Sequence, residues 1–414
     1  MPVPSPPEVL PRLAASPLER ALAAMPVAVL MGARQTGKST LVRTESVVGG
    51  RRYLTLDDFD IVAQARTAPA DLVRQAPRLT LDEVQREPDL LLAIKQAVDE
   101  DRPRHPGRFV LTGSANLLLM RRISESLAGR AAYVLLWPLT RRECLGLGAA
   151  GVWGEFLSTP VPDWYDLVLA QDVPSADWRA LARVGGYPTP AHEMDSDAAR
   201  AVWFRGYVQT YLERDLQDLS AIDNLVDFRR LMRAASLRIG SVLNQADMAR
   251  DTGLSRATLH RYLNLLEASF QAVRVQPYSV NRTKRLVKTP KLYWTDTALA
   301  MHLAVEEEPR GAHLENLVFS DLAAWRDARS IQSQILFWRT HTGEEVDLVL
   351  ESDGRLLPIE IKSGTRVGSV DVRHLVTFRE QYGDAAPGGL VLHSGDDVFW
   401  VADGILAAPW WRVI

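Results

Sequence analysis

The sequence predicts an α/β multidomain chain: a mainly parallel sheet around a glycine-rich loop, a helical connector leading to a winged helix, and a C-terminal α/β domain. Three observations predict it. The stretch Ala28 to Thr40, AVLMGARQTGKST, breaks an apolar strand-like run at Gly32 and opens into a loop that fits G-x-x-x-x-G-K-[ST] at every position. Residues Gln245 to Leu266 read as two short helices about the turn Thr252-Gly253-Leu254-Ser255. A strand-like segment ending at Lys362 sets Glu360 and Lys362 two residues apart on one face, and the strand-like segment before it carries Asp347.

At 414 residues with 47% apolar side chains, the chain is long enough for two or three domains, each with its own core. A net charge of -3 and a pI near 6.3 exclude nucleic-acid binding through overall charge, so any such contact must come from a local basic surface. The single cysteine, Cys144, excludes an internal disulfide framework and a thiolate zinc cluster, and reads as a small core residue in a reducing compartment. No apolar run approaches the roughly eighteen residues of a membrane span, and the Pro-rich start lacks the pattern of a signal peptide. The reading is a soluble cytoplasmic protein.

The loop carries the most specific chemistry. Gly32, Ala33, Arg34, Gln35, Thr36, Gly37, Lys38, Ser39 and Thr40 would wrap an anionic polyphosphate with backbone N–H groups, aided by the positive end of the following helix. Lys38 would reach the β- and γ-phosphates, and Ser39 would ligate Mg²⁺. A helix over Pro11 to Met25 leads into the strand Val27 to Met31. Arg52 to Leu56 is a second strand, and Arg78 to Leu81 a third that stops on Asp82-Glu83. At that position Asp82 would hold Mg²⁺ through its water shell and Glu83 would polarise the attacking water. Phe109 to Thr112 is followed by Gly113-Ser114-Ala115-Asn116. Arg130, before the strand Ala132 to Leu136, is a candidate arginine finger in cis or from a neighbouring subunit. These elements form a first domain over residues 1–145.

Residues 146–224 are read as a connector, with a turn at Gly185-Gly186-Tyr187-Pro188 and a helix from Ala199 to Leu219 whose aromatic stripe is core. The winged-helix domain spans 225–304. Ser255 caps its second helix, which buries Leu259, Tyr262, Leu263 and Leu266 and offers Arg256, His260, Arg261 and Asn264 to a major groove. Phe270 to Trp294 reads as a hairpin wing with Arg282, Lys284, Arg285, Lys288 and Lys291 near its tip. Protein contact alone is the alternative use of such a module. In the last domain, 305–414, Glu360 and Lys362 share a strand face, Asp347 lies on the adjacent strand, and Glu315 is helix-borne. Two carboxylates that hold a divalent cation beside a lysine suit phosphodiester hydrolysis; a plain Glu–Lys surface pair is the alternative.

Taken together, GARQTGKST, LTLDEVQ, the GGYP turn, WFRGYVQTYLERDL, KRLVKTPKLYWTD and GEEVDLVLE followed by PIEIKSG resemble the prokaryotic P-loop ATPases of the AAA superfamily that carry a C-terminal restriction-endonuclease-like domain of unknown function. The resemblance runs from about Ala28 to Lys362. It implies an AAA-type sheet, ATP and Mg²⁺ as cofactors, the roles given to Lys38, Ser39, Asp82 and Glu83, and nuclease descent for Asp347, Glu360 and Lys362. It also implies a γ-phosphate sensor at Ser114 or Asn116. Val346 stands where the nuclease pattern has proline. The function implied is a Mg²⁺-dependent ATPase coupling nucleotide state to a winged helix and a nuclease-like domain on DNA. The alternative is a nucleotide-gated regulatory or signalling protein with an inactive nuclease-like scaffold. Candidate partners are ATP, double-stranded DNA, a protein and a second copy of this chain; a membrane is not among them.

Overall fold

The computed structural model describes residues 9–44, 49–101, 105–113, 126–210, 222 and 224–414, and within it five short apolar runs form one parallel sheet. Its strands are β1 (Val27–Met31), β2 (Arg52–Thr55), β3 (Leu79–Asp82), β4 (Phe109–Thr112) and β5 (Ala131–Leu135), in the order β2-β3-β4-β1-β5. Every residue of β3 and β4 is buried, as a strand covered on both faces requires. Period-two alternation sends Val27, Val29, Leu81 and Leu111 to a core with Leu72, Leu90 and Ile94, and sends Ala28, Leu30 and Val110 to Leu18 and Leu41 on the other side. β4 lies between β3 and β1, so their carboxyl ends share one edge: Leu30 aligns with Thr112, and Leu81 with Leu111.

A second sheet is antiparallel, with β6 (Ser241–Val242), β7 (Ala272–Val275) and β8 (Lys291–Trp294) in the order β6-β8-β7. Between β6 and β7 run the helices Gln245–Thr252 and Arg256–Ala268. Gly253, at φ 70°, turns the chain after the first helix, and Ser255 Oγ accepts from Thr258 N at 3.1 Å to start the second. Leu259, Tyr262, Leu263 and Leu266 are buried against Phe228 and Leu231.

The third sheet is mixed: β9 (Ser333–Arg339), β10 (Glu345–Ser352), β11 (Arg355–Lys362), β12 (Gly389–His393), β13 (Phe399–Ala402) and β14 (Ile405–Pro409), ordered β13-β14-β12-β11-β10-β9. The helix Gly311–Ala328 covers one face with Leu314, Val318 and Leu322, and Ser369–Tyr382 covers the other with Val372, Leu375 and Phe378. Trp153, Phe156, Trp164 and Trp178, from the expected connector, are buried in the first of these cores. Val152 N donates to Val413 O at 3.0 Å, tying that stretch to the end of the chain. Of the expected helix Ala199 to Leu219, the segment Asp197–Tyr207 is helical, and residues 211–219 lie outside the described residues. Cys144, expected in the core, is exposed. Among the described residues no helix is long and apolar enough to cross a membrane.

Two further expectations are corrected here. The segment Phe270 to Trp294 is not a simple hairpin, because the helix Arg282–Val287 stands between β7 and β8. Arg130 does not face the loop. Its carbonyl accepts from Val27 N at the start of β1, and its guanidinium grips Asp99 at 2.7 and 2.8 Å, so it lies at the amino edge of the sheet, opposite the glycine-rich loop. An arginine just before a parallel strand must lie at that edge, which excludes a finger in cis.

The Gly185-Gly186 turn joins the first sheet to the second module. Gly186 O accepts from Leu139 N at 2.6 Å, Gly186 N donates to Asp296 Oδ2 at 2.6 Å, and a Cβ on Gly186 would lie 2.5 Å from Leu139 O. Gly186→Ala should therefore destabilise the chain by about 2 kcal/mol through overpacking. Denaturant unfolding checks this, and an unchanged midpoint would show that the turn relaxes freely.

Candidate functional site

The loop after β1 is shaped by residues outside the usual backbone regions. Gln35 at φ 63° and Gly37 at φ 92° are left-handed, and a Cβ on Gly32 would meet Leu136 O at 2.3 Å. Lys38 opens the helix Lys38–Arg43 and is buried, its Nζ donating to Ala33 O at 2.7 Å and Gly32 O at 3.3 Å. Burial pushes its pKa down to about 8, against the pull of Glu83 and Asp82. The loop thus encloses an ammonium that is hydrogen-bonded to neutral carbonyls.

Asp82 and Glu83 stand on the same sheet edge. Asp82 is buried and accepts from Tyr53 OH at 2.5 Å and from Thr112 Oγ1. Glu83 sits at φ 60°, a strained backbone for a residue with a Cβ, and its N–H donates to Thr112 Oγ1 at 3.2 Å. Burial raises the pKa of Glu83, with Lys38 opposing and Asp82 assisting. Tyr53 was not foreseen as a site residue. It holds Asp82 from β2, and Arg43 both stacks on its ring at 4.4 Å and donates to its hydroxyl at 2.8 Å. Ser114 and Asn116 lie outside the described residues.

Two other parts of the chain reach the loop. Arg12 donates to Thr36 O at 2.7 Å and Trp137 O at 2.7 Å, and pairs with buried Glu143 at 3.0 Å. Tyr207 OH lies 3.5 Å from Arg34 O and 3.0 Å from Tyr187 OH. Beside Gly37, a cavity of about 530 Å³ runs between Leu10 and Leu41 towards Pro188 and His192. Arg12 lies in no motif, and WFRGYVQTYLERDL, which contains Tyr207, does not show its partner, because both residues act on the loop from more than twenty residues away.

The C-terminal residues converge, though around an unexpected group. Lys291, counted from sequence among the wing cations, is 1% exposed, with its Nζ 2.8 Å from Glu345, 3.1 Å from Glu315 and 3.6 Å from Asp347. Tyr293 OH donates to Glu315 at 2.5 Å, and Asp347 Oδ2 accepts from Ile361 N at 2.9 Å. Lys362 pairs with Glu360 at 2.7 Å. Burial, then Asp347, raises Glu315 to about 7 and Glu360 to about 8. Among the described residues, no group of three His, Cys, Asp or Glu side chains is arranged to hold a metal ion.

The cation cluster of the wing is dispersed. Arg285 is buried and pairs with Glu351 at 2.5 Å, Arg282 is exposed and 3.9 Å from the same carboxylate, and Lys288 is exposed. The side chain of Lys284 lies outside the described residues. By contrast Arg256, His260, Arg261 and Asn264 are all exposed on one face of their helix.

Comparison with known proteins matches three successive stretches of the chain. A AAA domain model matches residues 24–145, and two domains of unknown function match 175–310 and 310–413. Uncharacterized proteins of Mycobacterium tuberculosis and Mycobacterium bovis are each 31% identical over 410 residues, covering 96% of this chain and 83% of theirs. Among solved structures, a Walker-type ATPase of Pyrococcus abyssi superposes with a TM-score of 0.44 at 17% identity, over 73% of this chain and 99% of that one.

Removing Arg12 would leave Glu143 charged and buried. Arg12→Met should cost about 3 kcal/mol, and Glu143→Gln in the same chain should recover at least about 1 kcal/mol of it. A double-mutant cycle by chemical denaturation measures this; additive losses would show that the pair carries no coupling.

Proposed function

Because the chain belongs to the same family as the two mycobacterial proteins and begins with a AAA-type P-loop domain, we propose that it binds ATP and hydrolyses it with Mg²⁺. The observation that supports this most is Lys38, a buried ammonium whose hydrogen bonds among the described residues go to carbonyls, in a loop where Gly37 supplies a left-handed backbone and Gly32 a close approach to Leu136 O. A γ-phosphate would replace neutral carbonyls with full negative charge, a stronger partner for a desolvated cation. The cavity beside Gly37 has the size and the apolar rim for a nucleobase. Ser39 and Asp82 would hold Mg²⁺, which when bound offsets charge on the phosphates. Glu83, close enough to Lys38 to feel its charge, would take a proton from the attacking water.

The free chain should bind ATP with a dissociation constant that is level below about pH 8. Above that, Lys38 loses its proton while a bound phosphate would keep it protonated, so the constant should rise about tenfold per pH unit. Calorimetry at pH 7, 8 and 9 reads this directly. Lys38→Ala should abolish binding, and Glu83→Gln should bind ATP but lower turnover by at least about a hundredfold. Wild-type turnover in Glu83→Gln would reject Glu83 as the base.

A second reading, association with double-stranded DNA, is supported by the exposed face of the helix Arg256–Ala268 rather than by the wing. Neutralising Arg256, His260 and Arg261 together should weaken DNA binding and flatten its log–log salt slope by about one unit per lost phosphate contact. If binding is absent at low salt, or if the slope does not move, the helix serves protein contact instead.

A further inference from the structure

The residues expected to hold a divalent cation in the C-terminal domain do not fit one. A metal ion needs carboxylate oxygens at about 2.0–2.6 Å around a space of its own. Here the space between Glu315 and Asp347 holds the ammonium of Lys291, which makes its closest contact to Glu345 at 2.8 Å. Three of the remaining oxygens are already committed, while Glu360 Oε2 is buried without a hydrogen-bond partner among the described residues. Asp347 Oδ2 is taken by the backbone of Ile361, Glu315 Oε1 accepts from both Lys291 and Tyr293, and Glu360 Oε1 accepts from Lys362. A divalent ion drawn to these acids would meet a like charge at contact distance, in surroundings where solvent screens little.

We infer that Lys291 is the resident cation of this cluster in place of a metal, and that the cluster is a charged clasp joining β8 of the second sheet to β10 and to the helix Gly311–Ala328. The clasp is built, not incidental. Lys291 has all four residues of its strand buried around it, and its ammonium lies 5.5 Å from the centre of the Phe337 ring on β9. The same junction is extended by Trp294 N donating to Asn316 Oδ1 at 2.8 Å and Asn316 Nδ2 returning to Trp294 O at 2.9 Å. Tyr278 N, just past β7, donates to Phe337 O at 2.5 Å. The ammonium sits where strands of two sheets and one helix meet, so the acids serve cohesion between modules. This inference is independent of the nucleotide reading.

The test uses the full chain carrying Asp82→Asn, which removes the carboxylate proposed to hold Mg²⁺ at the end of β3, and Mn²⁺ titration followed by electron paramagnetic resonance at pH 7.5. With Lys291 intact, no bound Mn²⁺ should disappear on adding Asp347→Asn; a bound ion that does disappear overturns the inference. Lys291→Met should lower the melting temperature by several degrees and gain one Mn²⁺ with a sub-millimolar dissociation constant, lost again with Asp347→Asn. Lys291→Arg, which keeps the charge, should gain none. If Lys291→Met is as stable as its parent and binds no Mn²⁺, the acids need no cation and the inference fails. If Lys291→Met is insoluble while Lys291→Arg folds, the requirement for a positive charge stands, and the intact chain decides the metal question.

Discussion

An ion taken out of water costs several kcal/mol unless an opposite charge or a set of hydrogen bonds replaces the lost solvation, and among the described residues two lysines are buried under opposite terms. Lys291 is surrounded by three acids, and its ammonium is held well above its usual range once Tyr293, Glu315, Asp347 and Glu345 outweigh burial. Lys38 is buried as deeply but reaches only carbonyls, and its pKa falls towards neutrality. One ammonium is paired with carboxylates, and the other is hydrogen-bonded to neutral carbonyls with Glu83 and Asp82 near enough to act on its charge. An added anion would therefore gain more from the second ammonium than from the first.

The loop around Lys38 is not isolated from the rest. Ala33, within the loop, is buried in the same core as Tyr187, Phe204 and Tyr207 of the following module, and Tyr207 reaches both Tyr187 and Gln271 by hydrogen bonds. Gln271 in turn immediately precedes β7. A close-packed interior transmits displacement because it has no free volume to absorb it. A loop that shifts Ala33 or Arg34 on taking up phosphate would therefore press on the base of the helical module, and the Tyr187–Tyr207–Gln271 contacts are the first that must adjust.

The parallel sheet was legible because each strand is a short apolar run ending on residues with backbone or charge roles, as Val27–Met31 ends on Gly32 and Leu79–Asp82 on Glu83. The position of Arg130 was legible too, since a residue preceding a parallel strand belongs to the opposite edge, but the motif obscured the topology. The wing was misread for a different reason. Clustered cations in sequence imply an exposed basic surface only if no acids come to meet them, and the acids that meet Arg285 and Lys291 lie 24 to 66 residues further on. Local pattern cannot register partners at that range. Lys291 also breaks the rule that a lysine in a strand faces solvent, because Lys291–Trp294 is buried at all four positions.

The same long-range pairing bears on how the modules belong together. Residues 151–184 place four tryptophan or phenylalanine side chains in the same core as the helix Gly311–Ala328, although the first sheet ends only shortly before them. Arg141 caps the carbonyls of Trp411 and Ile414 at 2.7 and 2.8 Å, so the exit of the P-loop domain is fixed by the last turn of the chain. Cutting the chain between modules would expose those aromatic faces and strip buried arginines and acids of their partners. The first sheet keeps its own cores on both faces, whereas the core under the third sheet is completed by residues 151–184, and the two mycobacterial relatives align over 410 residues, across all of these modules.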